Sequence, residues 1–199
     1  MPDRLILASG SDARAEMLRR AAVAFDVTPA RIDEDAARAG LQAEGASARD
    51  IADALAEAKA RKVSAKHPEA LVLGADQVLE FDGRILSKPE TKADAVRQLT
   101  SMRGAGHKLH SAAVICENSR PVWRHVGLAR LNMATRSNAW IANYVDRKWD
   151  HVRRSVGAYR IEDEGVRLFS RIDGDHFVVL GLPLLEVLSY LTLRGTLPS

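Results

Sequence analysis

The fold is decided by the opening stretch Leu5-Ile-Leu-Ala-Ser9-Gly10-Ser11-Asp12-Ala13-Arg14-Ala15-Glu16-Met17-Leu18. Its short apolar run stops at a Ser-Gly-Ser turn, and the apolar side chains that follow have helical spacing, at Met17, Leu18, Ala21 and Ala22. The pattern predicts a strand, a tight turn and a helix. Because the first N–H groups of a helix are unpaired and its dipole favours negative charge, such a turn suits a phosphate.

Three side chains add donors to this turn, namely Ser9, Ser11 and Arg14. The forked guanidinium of an arginine matches the geometry of phosphate oxygens. The same residues also fit a simpler interpretation, in which a serine caps the helix and nothing binds. The stretch alone leaves both interpretations open.

The composition is typical of a globular enzyme. The chain has 199 residues, of which 46% are hydrophobic and 28% are charged, and we expect a single domain over residues 1–199. No apolar run is long enough to span a bilayer, and no signal peptide opens the chain. The one cysteine, Cys116, excludes an internal disulfide. We therefore expect a buried thiol in a cytoplasmic protein that has no membrane partner.

The charge pattern favours a small anionic ligand over a nucleic acid. The formal net charge is only +3, and the basic residues are scattered along the chain. Aromatic residues make up 5% of the chain, too few to suggest a platform for stacking bases. We expect no nucleic-acid partner.

The rest of the chain alternates predicted strands and helices, which favours an α/β fold. Residues 36–46 are expected to form a loop or a short helix, and Ser47 to open a long helix. The expected inward face of that helix consists of Ile51, Leu55, Ala58 and Lys62. Pairing of two extended runs within residues 107–133 would make the sheet mixed. Other expected strands cover residues 70–75, 159–161 and 166–172.

Four polar side chains outside the opening turn are candidates for chemistry. Asp76 directly follows a buried apolar run, so it is expected at a strand end, where it would hold a metal, take a proton from water or cap a turn. Lys88 precedes a proline and fits either a phosphate ligand or a loop lysine. Lys59 fits an inward or a solvated position, and Glu34 a metal ligand or part of an acidic patch. Together they supply the cations, carboxylates and base that a phosphate-handling enzyme needs.

A set of short motifs, in this order and spacing, resembles the Maf family of nucleoside triphosphate pyrophosphatases. The motifs are Leu-Ala-Ser9-Gly-Ser11-x-x-Arg14, Asp33-Glu34, Ala-Lys59-Ala, Gly74-Ala-Asp76-Gln77-Val, Gly83-x-Ile-Leu-x-Lys88-Pro89, Gly157-Ala-Tyr and Gly181-Leu-Pro183-Leu. They extend from about residue 5 to about residue 193. The resemblance implies a Maf/ITPase-like α/β fold, with a curved mixed β-sheet flanked by helices and two lobes around a central cleft.

The resemblance also implies a reaction and a set of roles. A nucleoside triphosphate would be hydrolysed to the monophosphate and pyrophosphate with a divalent cation (Mg, Mn or Co), and Asp76 would accept the proton. Glu34 would work with Asp76 around the metal. The phosphates would be held by Ser9, Ser11, Arg14, Lys59 and Lys88. A homodimer is expected by analogy, and a non-catalytic regulator of cell division is the alternative function.

Three positions depart from the pattern that the family often shows. Ala13 stands where an arginine is common, Gln77 where a threonine is common and Glu162 where a glutamine is common. In the family these positions bear on base choice, and the set found in dTTP/UTP enzymes is absent. Gln77 and Glu162 resemble the branch that acts on 7-methyl-GTP, since a carboxylate suits a positively charged guanine ring.

Overall fold

The structure is a computed structural model, and it describes residues 4–198. The strands are β1 Leu5–Leu7, β2 Asp26–Val27, β3 Leu71–Phe81, β4 Arg84–Leu86, β5 Gly106–Glu117, β6 Arg120–Met133 and β7 Phe169–Asp173. The α-helices are α1 Asp12–Arg20, α2 Glu34–Ala43, α3 Ala48–Ser64, α4 Lys92–Met102, α5 Asn138–Val152, α6 His176–Leu180 and α7 Leu184–Leu193. Two short 3-10 helices, Val156–Ala158 and Glu164–Leu168, lie between α5 and β7.

One mixed sheet contains all the described strands, in the order β2-β1-β3-β5-β6-β7, with β4 paired to β3. Strand β1 runs parallel to β2 and to β3, and the other pairs are antiparallel. The prediction of an α/β fold with a mixed sheet is therefore confirmed, and so is the long hairpin formed by β5 and β6.

Alternation along β1 explains how both faces of the sheet are covered. Leu5 and Leu7 point into a core beneath α1 and α7, whereas Ile6 points into a core beneath α3. A third core, under α4 and α5, includes Leu79, and many of its other members lie on helices and on β5 and β6. Apolar residues cover both faces of the sheet, so polar side chains collect where the sheet has an open edge.

The structure decides between the two interpretations of residues 36–46, and it differs from the prediction in two other segments. Residues 36–46 belong largely to helix α2, which Asp33 caps by accepting a hydrogen bond from the Ala36 N–H. The predicted face of α3 is right at its start, where Ile51 and Leu55 are buried. It is wrong further on, because Ala58 and Lys62 are exposed, whereas Lys59 is buried. The small alanines of this helix carry little periodic signal, since they fit an exposed and a buried face equally well.

The strand expected at residues 159–161 does not form, and β7 begins only at Phe169. Gly157 and Ala158 both adopt positive φ, at 77° and 58°, which turns the chain before Tyr159. The ring of Tyr159 is buried in the core under α4 and α5. Alternating apolar residues here thus mark a tight loop around one aromatic ring rather than a strand.

The thiol of Cys116 is buried, as predicted, and burial raises its pKa to about 11. It is therefore a protonated thiol at neutral pH. No helix within residues 4–198 is both long and apolar enough to cross a membrane.

Candidate active site

A cavity of about 860 Å³ opens at the edge of β3. Its size falls in the range usual for sites that bind small molecules. Its lining includes every site residue predicted from the sequence: Ser9, Ser11, Ala13, Arg14, Glu34, Lys59, Asp76, Gln77, Lys88 and Glu162. Residues that lie up to about 150 positions apart in the chain are thus brought to one place.

The cavity exists because β3 has a gap along one edge. Strand β1 pairs with Leu71–Leu73 and stops, and β4 pairs with residues 79–81 of the same strand. Between them, residues 74–78 have no partner strand on that side within the described part of the chain. Asp76 and Gln77 point to opposite faces of β3, yet both line the cavity, so the cavity wraps around this open edge.

The sequence predicted that Asp76 lies at the end of a strand, and this prediction is wrong. Asp76 lies in the middle of β3, opposite Ala112 of β5. The abrupt end belongs to the neighbouring β1, whose last residue is Leu7. Asp76 nevertheless lines the cavity, as a residue at a strand end would, because the neighbouring strand is missing beside it.

The opening turn is held by a network centred on Arg14. Ser11 is the N-cap of α1, and its Oγ accepts a hydrogen bond from the Arg14 N–H at 3.4 Å. The Oγ of Ser9 accepts from Arg14 Nη1 at 3.0 Å and from the Ser11 N–H at 3.3 Å. The serine cap of the simpler interpretation is therefore confirmed, although a cap does not exclude a ligand.

The guanidinium of Arg14 also replaces part of the missing strand. Nη1 donates to the Ala75 carbonyl at 3.1 Å, on the open edge of β3, and Nε donates to the Gly181 carbonyl at 2.7 Å. Burial lowers the pKa of Arg14, while the charges of Asp76 and Glu34 raise it. The arginine thus joins the turn, β3 and the loop after α6, and it brings a positive charge to the cavity wall.

Lys59 and two carboxylates form the centre of the site. Lys59 Nζ lies 2.6 Å from Asp76 Oδ1 and 2.9 Å from Glu34 Oε1. Lys59 is 5% exposed and Asp76 is 4% exposed. Burial acts to raise the pKa of Glu34, but the charge and hydrogen bond of Lys59, together with Lys88 and Arg14, hold that pKa below its usual value. Glu34 is therefore ionised at neutral pH in this arrangement.

A glycine sets the distance between α3 and β3. A Cβ at Gly74 would lie only 2.1 Å from the Ala56 carbonyl oxygen and 2.7 Å from the Ala60 N. The helix therefore lies directly on the strand at this residue. This close approach brings Lys59, one residue before Ala60, down to Asp76, two residues after Gly74.

The second oxygen of Asp76 has no partner. Oδ2 is buried and accepts no hydrogen bond within the described residues. Leaving a buried polar atom unpaired costs about 1–3 kcal/mol. A hydrogen-bond donor on a ligand, a metal ion or a water molecule would remove this cost. The Oδ2 atom therefore marks a position at which one of these groups is expected to bind.

The rim beside Glu34 carries two cations. Lys88 is exposed and makes no hydrogen bond or ion pair with any residue between 4 and 198. Arg38, on α2, donates to Asp35 Oδ1 at 2.9 Å and to Ser87 Oγ at 3.2 Å, and only 12% of its side chain is exposed. Arg38 thus ties α2 to the loop that contains Lys88.

Gln77 has its amide fixed from the other face of β3. Its Nε2 donates to Ser111 Oγ at 3.0 Å and to the carbonyls of Val178 and Val179 at 3.1 and 3.0 Å. The Oγ of Ser111 donates to the same Val178 carbonyl at 2.7 Å. This network uses the Nε2 atom of Gln77 as donor, and the Oε1 atom of the same amide is an acceptor.

The wall formed by the end of α5 and the following loop contains most of the residues that the sequence analysis missed. These residues are Asp150, His151, Arg154, Ser155, Tyr159 and Arg160. The last of them pairs with a predicted residue, since Arg160 Nε lies 2.8 Å from Glu162 Oε1. In the sequence, residues 146–154 are only a polar and basic segment before the Gly157-Ala-Tyr motif, which gives no specific signal for a binding wall.

Within the described residues no group of three or more His, Cys, Asp or Glu side chains forms a potential metal site. The carboxylates that remain beside the cavity centre are those of Asp76 and Glu34. Two carboxylates are what a magnesium site uses when phosphate oxygens and water complete its coordination. The residues therefore fit a cation that arrives with a phosphorylated ligand.

The fold and the site define an α/β protein whose cleft combines a serine turn, several cations and two central carboxylates. A family model described as Maf-like protein matches residues 4–193. A protein of Roseobacter denitrificans, named nucleoside triphosphate pyrophosphatase, is 60% identical over 198 residues and is covered completely, as is this chain. A protein of the same name from Ruegeria sp. is 57% identical, with 98% of each chain covered. A protein of Rhizobium etli, named 7-methyl-GTP pyrophosphatase, is 42% identical, with 99% of each chain covered. The chain belongs to the Maf-like protein family.

Proposed function

We propose that this protein hydrolyses a nucleoside triphosphate to the nucleoside monophosphate and pyrophosphate. The names of its relatives support an enzyme of this class. The observation that carries the proposal is the buried centre in which Lys59 bridges Asp76 and Glu34, next to an unpaired Asp76 oxygen. Such a centre supplies a base and positive charge at one point of a polar cleft.

The phosphates bind between the opening turn and the rim of the cavity. Ser9, Ser11 and Arg14 provide donors on one side, and Lys59 and Lys88 provide positive charge on the other. Arg14 uses Nε and Nη1 within the protein and keeps Nη2 for a phosphate oxygen. Lys88 has no competing ion pair within the described chain, so its charge is free to meet the ligand.

Asp76 and Glu34 would hold a divalent cation, Mg, Mn or Co, together with the phosphates of the substrate. The unpaired Oδ2 of Asp76 supports this assignment, because a cation would satisfy it. When bound, the cation neutralises charge on the phosphate oxygens.

Asp76 is the proton acceptor in this scheme. Lys59 holds its Oδ1, and Oδ2 has two lone pairs, so Oδ2 can accept a hydrogen bond from a water molecule as well as contact a cation. The water oxygen forms a bond to the α-phosphorus, the bond from that phosphorus to the bridging oxygen breaks, and the proton of the water passes to Asp76. The electron pair of the broken bond leaves with pyrophosphate, whose charge the lysines stabilise.

The nucleotide base is recognised by the part of the cavity wall that contains Gln77, Glu162 and Ala13. We assign 7-methyl-GTP as the substrate, since the Gln77 oxygen and the Glu162 carboxylate are acceptors that suit the donors of a guanine ring. Ala13 lines the cavity and leaves room where a larger side chain would stand. The relative from Rhizobium etli that is named for this substrate supports the same choice.

A substrate panel tests the proposal. Purified protein is incubated with Mg²⁺ or Mn²⁺ and 7-methyl-GTP, GTP, dTTP, UTP or CTP, and pyrophosphate release is measured. We expect release, fastest from 7-methyl-GTP, and loss of release in Asp76→Asn with nucleotide binding retained. No release from any triphosphate by folded protein would contradict the proposal, and retained binding in that case would favour the non-catalytic regulator.

We also propose that the protein forms a homodimer, lies in the cytoplasm and consists of one domain over residues 1–199. Residues 1–3 and 199 lie outside the described part of the chain.

A further inference from the structure

The carboxylate assigned to the base is already paired with a cation from its own chain. Arg160 Nε donates to Glu162 Oε1 at 2.8 Å, and about one third of each side chain is exposed. Both residues line the cavity. The Glu162 carboxylate therefore meets a ligand as half of a neutral pair rather than as an isolated negative charge.

The backbone of Arg160 is tightly packed, so the Arg160–Glu162 ion pair extends from a fixed backbone position. A Cβ at Gly165 would lie 2.4 Å from the Arg160 carbonyl oxygen and 2.7 Å from the Tyr144 hydroxyl, which shows how closely these groups pack. The side chain of Tyr144 is itself buried. The guanidinium Nη1 has a further neighbour in His151 Nδ1, at 3.5 Å. The guanidinium of Arg160 thus lies between Glu162 and His151.

We infer that Arg160 sets the preference of this site for the charge of the base. The inference rests on the proposed function and concerns the same cavity. A methylated guanine carries a positive charge on its ring, whereas guanine presents the same N1–H and amino donors without that charge. While Arg160 neutralises Glu162, the attraction for the charged base is reduced and the hydrogen bonds to both bases remain. Arg160 is thus a specificity residue that acts through Glu162.

The ratio of kcat/KM for 7-methyl-GTP to kcat/KM for GTP measures this preference directly. The two substrates share the ribose and triphosphate, so effects on metal or phosphate binding cancel in the ratio. The assay is run below neutral pH, where the methylated base keeps both its N1–H and its positive charge. We expect Arg160→Gln to raise the ratio about fivefold to tenfold, since water screens partly exposed charges.

Three variants control the experiment. Arg160→Lys keeps the charge and is expected to leave the ratio within about twofold of the wild type. Glu162→Gln removes the carboxylate and is expected to lower the ratio. The double variant Arg160→Gln/Glu162→Gln removes both charges of the pair and leaves their net charge unchanged, so its ratio is expected to lie close to that of the wild type.

The outcomes separate this inference from the proposed function. An unchanged or lowered ratio in Arg160→Gln, with both substrates still hydrolysed, would overturn the inference and leave the proposed function standing. Hydrolysis of pyrimidine triphosphates alone would overturn the inference and the assignment of 7-methyl-GTP. No hydrolysis of any triphosphate by the wild type would instead overturn the proposed function.

Discussion

Lys59 Nζ lies 2.6 Å from Asp76 Oδ1, and both side chains are almost completely buried. Lys59 comes from α3 and Asp76 from the middle of β3, so one contact joins the helix to the sheet at the candidate active site. The same ammonium group reaches Glu34 at the start of α2. Three elements are thus held together by one buried charge.

Replacement of this lysine should cost stability as well as activity. Lys59→Met leaves the Asp76 carboxylate buried without a partner, and loss of one member of a buried pair typically costs about 3–5 kcal/mol. We expect a decrease of that size in the free energy of unfolding, measured by urea denaturation, and loss of hydrolysis. Lys66→Met is the control, because Lys66 is an exposed lysine just after the same helix. Equal stability of the two variants would contradict the role of Lys59 as a buried bridge.

Gly74 is expected to tolerate no side chain. Gly74→Ala would place a Cβ 2.1 Å from the Ala56 carbonyl, so α3 must move away from β3. We expect a loss of about 3 kcal/mol in unfolding free energy and reduced hydrolysis, since Lys59 moves with its helix. Gly40→Ala is the matched control. Gly40 lies within helix α2 with nothing within 4 Å of its Cβ position, so alanine should stabilise the protein there by up to about 1 kcal/mol. Similar effects of the two substitutions would contradict the close packing at Gly74.

Buried His107 gives the stability of the protein a pH dependence. Its Nε2 lies 2.7 Å from the Tyr159 hydroxyl, its Nδ1 has no partner within the described residues, and burial lowers its pKa from 6.5 to about 4. His107 therefore binds a proton below pH 6.5 in the unfolded chain, but only near pH 4 in the folded protein. Stability from this group is present above pH 6.5 and falls by up to about 3 kcal/mol as the pH drops through that window.

Removal of the imidazole tests this dependence. We expect His107→Gln to unfold at urea concentrations that change less between pH 6.5 and 4 than those of the wild type. His176→Gln, at an exposed position, is the control, because no buried ring is lost there. A wild-type slope in His107→Gln would show that other groups cause the loss of stability in acid.

Arg38 is expected to position α2 for the substrate. None of the residues of α2 is buried, and the hydrogen bond of Arg38 to Ser87 joins this helix to the loop that contains Lys88. We expect Arg38→Ala to raise KM for the triphosphate about fivefold and to change the free energy of unfolding by less than about 1 kcal/mol. Arg20→Ala, on the exposed side of α1, should change neither quantity by much. An unaltered KM in Arg38→Ala would show that α2 is held without this side chain.

Local signals in the sequence predict much of this molecule. The strand, turn and helix around Ser11 follow from an apolar run, a capping serine and helical spacing within a few residues. The turn at Asp82-Gly83 likewise follows from its own two residues, which both adopt positive φ. The chemistry of the candidate site is predictable for a similar reason, since most of its residues directly follow strands or stand in short motifs.

Contacts between distant segments explain what the sequence did not predict. Arg38 and Arg160 reach the cavity only because α2 and the loop after α5 fold towards β3, and neither residue belongs to a local pattern. The inward position of Lys59 depends on how α3 rotates when Gly74 lets it approach β3. The position of Asp76 within a strand depends on the pairing of β3 with β5, and the open edge beside it depends on where β1 ends. Tertiary packing decides each of these features.

The position of bond cleavage tests the central claim most directly. We propose that water, assisted by Asp76, attacks the α-phosphorus of a nucleoside triphosphate. Hydrolysis in ¹⁸O-labelled water, followed by mass spectrometry of both products, should place one labelled oxygen in the nucleoside monophosphate and none in pyrophosphate. Label in pyrophosphate, or release of orthophosphate with a nucleoside diphosphate, would contradict this account.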